Sequence, residues 1–179
     1  MRELVDAARI REFMRAIGRR ARTGGRVYLA GGACAVLLDW RLSTLDIDLE
    51  LDPVLEPLLK EIPELKEQLH VNVELASPGH FIPELPGWRD RSPFISREGT
   101  VDFHHYDFYA QALSKIERAH DRDIADVREM AKRRLIEPAR LVSFADQIAP
   151  EFYKYPAISA AKFRESVGRW VKALEDDSL

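Results

Sequence analysis

The apolar positions along the chain change period several times, and each change predicts an element. Over residues 2–22, Val5, Ile10, Phe13, Met14 and Ile17 recur at helical spacing with arginines on most of the other face, and Thr23-Gly24-Gly25 ends the helix. Arg26 to Ala30 reads as a short strand, and Ala33 to Trp40 as a short helix directly after Gly31-Gly32. Leu45 to Leu51 alternates as L-D-I-D-L-E-L, the period of two that marks a strand. Asp52-Pro53 opens a helix that breaks at Pro63 and runs to about Leu69, and V-N-V-E-L-A over Val71–Ala76 is again a strand.

Residues 77–99 are rich in Pro, Gly and Ser and predict a long surface loop with a short strand at Phe94-Ile95. Val101 to Tyr106 predicts another strand. Helices follow over 107–119, 121–135, 137–148 and 159–174, and 175–179 form a frayed acidic tail. The order implies an α/β (α+β) fold, with a core over 1–106 and a C-terminal helical part over 107–179 packed on it as one unit. No repeat, low-complexity tract or linker-like segment interrupts it.

Composition narrows the picture only at a few points. With 179 residues, 46% of them apolar, the chain can bury a real core. A net charge of −3 rules out the global basic field of a dedicated duplex binder, although local basic patches such as the arginine-rich first helix stay open to RNA as well as to solvent. The single cysteine, Cys34, leaves no intrachain disulfide and fits a reducing compartment. The start MRELVDAARI carries two acids and no apolar run, unlike a signal peptide, and no stretch approaches the roughly 18 apolar residues of a membrane span. The expectation is a soluble cytoplasmic protein.

The chemistry concentrates in LAGGACAVLLDWRLSTLDIDLEL, residues 29–51. Residues two apart on a strand share a face, so Asp46 and Asp48 point the same way, while Leu45, Ile47 and Leu49 point the other. Two such carboxylates repel unless a positive charge lies between them, and a divalent cation with oxygen preference, Mg²⁺ or Mn²⁺, fills that role. Gly31-Gly32 ends one strand and opens a helix, where backbone N–H groups can approach an anion closely. A phosphate cradle and a metal pair joined by one short helix suit a nucleoside triphosphate.

This stretch resembles the signature of the polymerase-β-like nucleotidyltransferase superfamily: LAGG, then the thirteen residues ACAVLLDWRLSTL, then DIDL. The layout resembles minimal nucleotidyltransferases of the AbiEii-like toxin branch, with the motif covering about 27–51 and a weaker likeness reaching about residue 130. The resemblance implies a mixed sheet flanked by helices, Asp46 and Asp48 as Mg²⁺ ligands, and Gly31 and Gly32 on the triphosphate. Many members have serine as the second residue of the pair. Here Gly32 is followed by Ala33, so backbone contacts must suffice. Ser43 and Thr44 match the usual Ser/Thr before the aspartates, and Arg41 is close enough in sequence to reach a phosphate.

The superfamily often adds a third carboxylate on a neighbouring strand. Glu74 in VNVEL and Asp102 in TVDFH both qualify. Further on, K-x-x-R and R-D-I-x-D resemble the AbiEii-like branch, in which a lysine and an aspartate reach the nucleotide. Lys115 and Arg118 share a helix face, as do Asp123 and Asp126. Lys115 would neutralise the β,γ-phosphates, with Asp123 or Asp126 orienting it; the plainer reading is a surface helix pair with salt bridges worth under about 1 kcal/mol each. Cys34 reads as a small core residue, His104-His105 as a poor metal site because neighbours on a strand face opposite ways, and Trp88 as either a base-stacking ring or a pin for its loop.

The resemblance implies transfer of a nucleoside monophosphate from an NTP to a hydroxyl of RNA (tRNA included) or of protein, with Mg²⁺, and a toxin partnered by an antitoxin protein is one setting for it. The alternative is a catalytically silent nucleotidyltransferase-like binding module or antitoxin partner. The intact aspartate pair favours the enzyme, since a silent copy has little reason to keep two like charges adjacent.

Overall fold

The computed structural model describes residues 3–176. Its elements run α1 (Ala7–Arg20), β1 (Gly25–Ala30), α2 (Gly31–Leu37), β2 (Asp46–Leu51), a 3-10 turn over Pro53–Lys60, α3 (Ile62–Leu69) and β3 (Asn72–Glu74). There follow α4 (Trp88–Arg91), β4 (Phe94–Glu98), β5 (Val101–His105), α5 (Phe108–Arg118), α6 (Asp121–Lys132), α7 (Pro138–Ile148) and α8 (Ala160–Asp176). The fold is mixed α/β: one five-stranded sheet of order β3-β2-β1-β5-β4 with flanking helices, and further helices toward the C-terminus.

The chain divides into two compact units. The first takes the chain up to Ser77 together with Ser92–Tyr106, and holds the whole sheet. The second takes Pro78–Arg91 and the chain from Asp107 onward, so the segment around α4 groups with the C-terminal helices.

In the first unit β1 runs antiparallel to β2 and parallel to β5, β2 runs parallel to β3, and β4 runs antiparallel to β5. Ile47 and Leu49 on β2 and Val27 and Leu29 on β1 are fully buried, which fixes the register because a slip of one residue would turn this set outward. Helix α1 starts at Ala7, later than its apolar pattern suggests, because Asp6 caps it by accepting from Arg9 N at 2.9 Å and Val5 pairs with Thr44. The first residue of that expected helix, and the last three of the expected acidic tail, lie outside the described residues.

Several boundaries differ from the sequence pattern for local reasons. The helix after Asp52 breaks at Glu61; Pro63 sits in the first turn of α3, where its missing N–H costs nothing. The expected loop over 77–99 holds a 3-10 turn at Pro78–His80, the short α4 and a five-residue β4, organised by buried Ile82, Leu85 and Trp88. Trp88 therefore pins its segment instead of presenting a ring for base stacking. In the second unit Asp107 caps α5, accepting from Tyr109 N at 3.2 Å, and its carboxylate also takes two bonds from Arg91, at 2.6 and 3.1 Å. A 3-10 turn over Ala149–Lys154 follows α7, and Phe152 from it packs on Phe163 of α8 with ring centroids 4.9 Å apart.

Candidate active site

Strand β1 ends at Ala30, and the backbone turns at once into the seven-residue α2. Gly31 makes that turn with φ +59, a conformation that costs a side-chain-bearing residue roughly 1–2 kcal/mol. A Cβ on Gly31 would fall 2.5 Å from Asp48 Oδ2, so the carboxylate occupies the space the glycine leaves open. A Cβ on Gly32 would collide with Thr44 Oγ1 and would lie 3.6 Å from Arg41 Nη1. The glycine pair, Asp48, Thr44 and Arg41 thus converge on one place within the first unit.

Thr44 is held there twice over. Its backbone exchanges hydrogen bonds with Val5 (2.9 and 2.8 Å), and its hydroxyl donates to the Asp46 carbonyl at 3.2 Å. Ser43 is half-buried in the same loop, and Ala33 is buried in α2.

Asp46 and Asp48 project from the face of β2 opposite to buried Ile47 and Leu49, and both are half-buried. On β3, Asn72 stands beside Asp46 and Glu74 beside Asp48 in the parallel register, which puts all four polar side chains on one face. The Asn72 side-chain amide donates to Asp46 Oδ1 at 2.6 Å and to Glu74 Oε1 at 3.1 Å. Asn72 is not among the residues that the motif singles out, although the alternation V-N-V-E-L puts it on the same face as Glu74. Leu75 breaks that alternation: β3 stops at Glu74 and Leu75 is exposed.

The strand order separates the two candidates for a third carboxylate. Asp48 pairs with Ala30 of β1, whereas Asp102 pairs with Arg26. Those positions are four residues apart on one strand, about 13 Å at strand rise. Asp102 is moreover gripped by Arg97 through two bonds, at 2.6 and 2.8 Å, which hold its carboxyl below the usual range. Of the two, Glu74 is the one next to the aspartate pair.

Asp46, Asp48 and Glu74 offer only hard oxygen donors, the chemistry that suits Mg²⁺ or Mn²⁺ rather than a softer metal. The Asn72 amide between two of them supplies the positive edge that two near carboxylates require. Among the described residues, no three His, Cys, Asp or Glu side chains lie close enough together to hold an ion as they stand. His104 and His105 are both buried and engaged elsewhere, with Nδ1 of His104 2.9 Å from Ser92 O and Nδ1 of His105 3.2 Å from Cys34 Sγ. Cys34 donates to Leu29 O at 3.0 Å and is core. Burial, with the nearby charges of His104 and Arg11, pushes the His105 pKa down to about 4.

The second constellation assembles inside the second unit. Lys115 Nζ donates to Asp123 Oδ1 at 3.0 Å and to Asp126 Oδ2 at 2.7 Å, and Arg118 Nη2 donates to Asp123 Oδ1 at 3.0 Å. Lys115 is 4% exposed and Asp126 2%. The plainer reading of a surface helix pair is therefore overturned: this is a buried ion cluster tying α5 to α6, and its members depend on one another far more than exposed pairs do. The Arg118 guanidinium lies over the Phe81 ring, 4.5 Å from its centroid.

A strand, a glycine turn and a second strand bearing two aspartates beside a third acid thus meet within the first unit. The chain belongs to a family described as nucleotidyltransferase of unknown function (DUF6036), which it matches over residues 7–173. No curated protein and no solved structure gives a significant match. Among the described residues, no helix is long and apolar enough to cross a membrane.

Proposed function

We propose that this protein transfers a nucleoside monophosphate from an NTP to a hydroxyl of RNA or protein. The observation that carries the reading is the interlock of Gly31 with Asp48: the site is shaped so that a backbone turn and a carboxylate share a space no side chain could enter. Gly31 and Gly32 give the triphosphate close access to main-chain N–H groups, Arg41 supplies a guanidinium fork for a phosphate, and Thr44 fixes the loop between them. Ala33 and Ser43 line the same turn and loop.

Asp46, Asp48 and Glu74 would hold Mg²⁺ or Mn²⁺. The ion, when bound, offsets the charge that builds on the transferring phosphoryl group and the departing pyrophosphate. The acceptor oxygen forms a bond to the α-phosphorus as the bond from that phosphorus to the β-bridging oxygen breaks, and pyrophosphate leaves with the electron pair. Glu74, the most exposed of the three acids, would take the acceptor proton. The same chemistry extends to a toxin restrained by an antitoxin protein, since capping an essential RNA would stop growth.

The test is incubation with Mg²⁺ and each labelled NTP in turn, with total RNA and with total protein. Label should move to one acceptor class in the parent and to none in Asp46→Asn/Asp48→Asn. No transfer from any NTP to either acceptor would favour a silent binding module.

A further inference from the structure

Helix α1 presents a line of arginines that the candidate site does not use. Two arginines of the segment are engaged: Arg9 donates to the Leu69 and His70 carbonyls at 2.8 and 2.6 Å and pairs with Glu3, and Arg20 pairs with Glu61 and Glu64. Arg11, Arg15 and Arg19 are exposed, and among the described residues none of them, nor Arg22 just past the helix, has an ion-pair partner. Their spacing of four residues stacks them along one side of the helix in steps of about 6 Å.

Like charges four apart weaken a helix, and Arg20 shows that paired alternatives are built on the same element. Glu12 is the sole acid within α1, and the whole chain carries a net charge of −3, so this line is a local field set against the general balance. Its position matters as much as its charge. Val5, directly ahead of the cap of α1, is bridged to Thr44, whose hydroxyl lies against Gly32. The arginine line therefore starts near the candidate site and leads away from it within the same unit.

We propose that Arg11, Arg15 and Arg19, continued by Arg22, bind the phosphate backbone of an acceptor RNA and guide its end toward the Gly31–Asp48 site. This rests on the nucleotidyltransferase reading and commits its acceptor to RNA. Guanidinium forks match phosphate oxygens in pairs, and their regular step along the helix suits a repeating polyanion. An anionic membrane fits less well, because the opposite face of α1 (Ile10, Phe13, Met14 and Ile17) is already buried and has no apolar surface left to insert.

The experiment titrates the full chain against a short fluorescent single-stranded RNA of mixed sequence over a salt series. Arg11→Gln/Arg15→Gln/Arg19→Gln should weaken binding on the order of 10²-fold and flatten the dependence of log K on log salt by about 2, near 0.7 for each phosphate no longer neutralised. The triple variant should melt with the parent, because all three side chains are exposed. Binding of the variant within threefold of the parent with an unchanged salt slope would overturn the proposal. So would tighter binding of the parent to phosphatidylserine vesicles or to polyglutamate than to the RNA. Failure of the transferase reading registers elsewhere, as metal-dependent nucleotide binding that survives Asp46→Asn/Asp48→Asn, and leaves the RNA titration unaffected.

Discussion

The carboxylate of Asp48 fills the space in front of Gly31, with Oδ2 2.5 Å from where a Cβ would stand. Gly31→Ala therefore meets two obstacles, a backbone at φ +59 and the Asp48 carboxylate oxygen it would displace. The expected result is a loss of about 1–2 kcal/mol in urea unfolding, from the backbone term alone, with NTP affinity down at least tenfold. An alanine variant that matches the parent in both measurements would mean that the glycine is not shaping a site.

Lys115 is a second place where a substitution has a calculable consequence. Removing it leaves Asp123 and Asp126 buried without their shared cation, although Arg118 still reaches Asp123. Lys115→Ala should cost about 3–5 kcal/mol of stability. Lys115→Met with Asp126→Leu should recover part of that, because it also removes the more deeply buried carboxylate. Urea melts of the single and double variants check this, and a single variant within about 1 kcal/mol of the parent would return the cluster to the rank of surface ion pairs.

Stability should fall in mild acid through His105. Its folded pKa is near 4 against an ordinary 6.5, so the unfolded chain takes up the proton first as pH falls. The contribution is intact above about pH 6.5, declines through the window down to about 4, and amounts to about 3 kcal/mol in full. His105→Gln should flatten the difference between melts at about pH 7 and about pH 4.5, and an equally steep decline in that variant would assign the acid sensitivity to other groups.

The site is legible in the sequence to the extent that its chemistry is local. Gly31, Gly32, Asp46 and Asp48 lie within one strand–helix–strand passage, where alternation alone decides which side chains share a face. The choice between Glu74 and Asp102 is not legible, because it depends on which strand neighbours β2, and strand order leaves no short trace. Asn72 is legible from its place in the alternation, yet its charged neighbours draw attention away from it. The plainer reading of Lys115 as a surface residue fails, because its burial comes from α6 bringing Asp123 and Asp126 over it. The helix around Trp88 reads as loop in the sequence, since Pro and Gly mark local turns but do not reveal what Ile82, Leu85 and Trp88 bury against.

The most direct test of the whole account is calorimetry of NTP binding with and without Mg²⁺ or Mn²⁺, in the parent and in Asp46→Asn/Asp48→Asn. If the two aspartates hold the cation that meets the triphosphate, the metal tightens binding in the parent and has no effect in the double variant. Equal metal-dependent tightening in both proteins would contradict it and would take the catalytic role away from these residues.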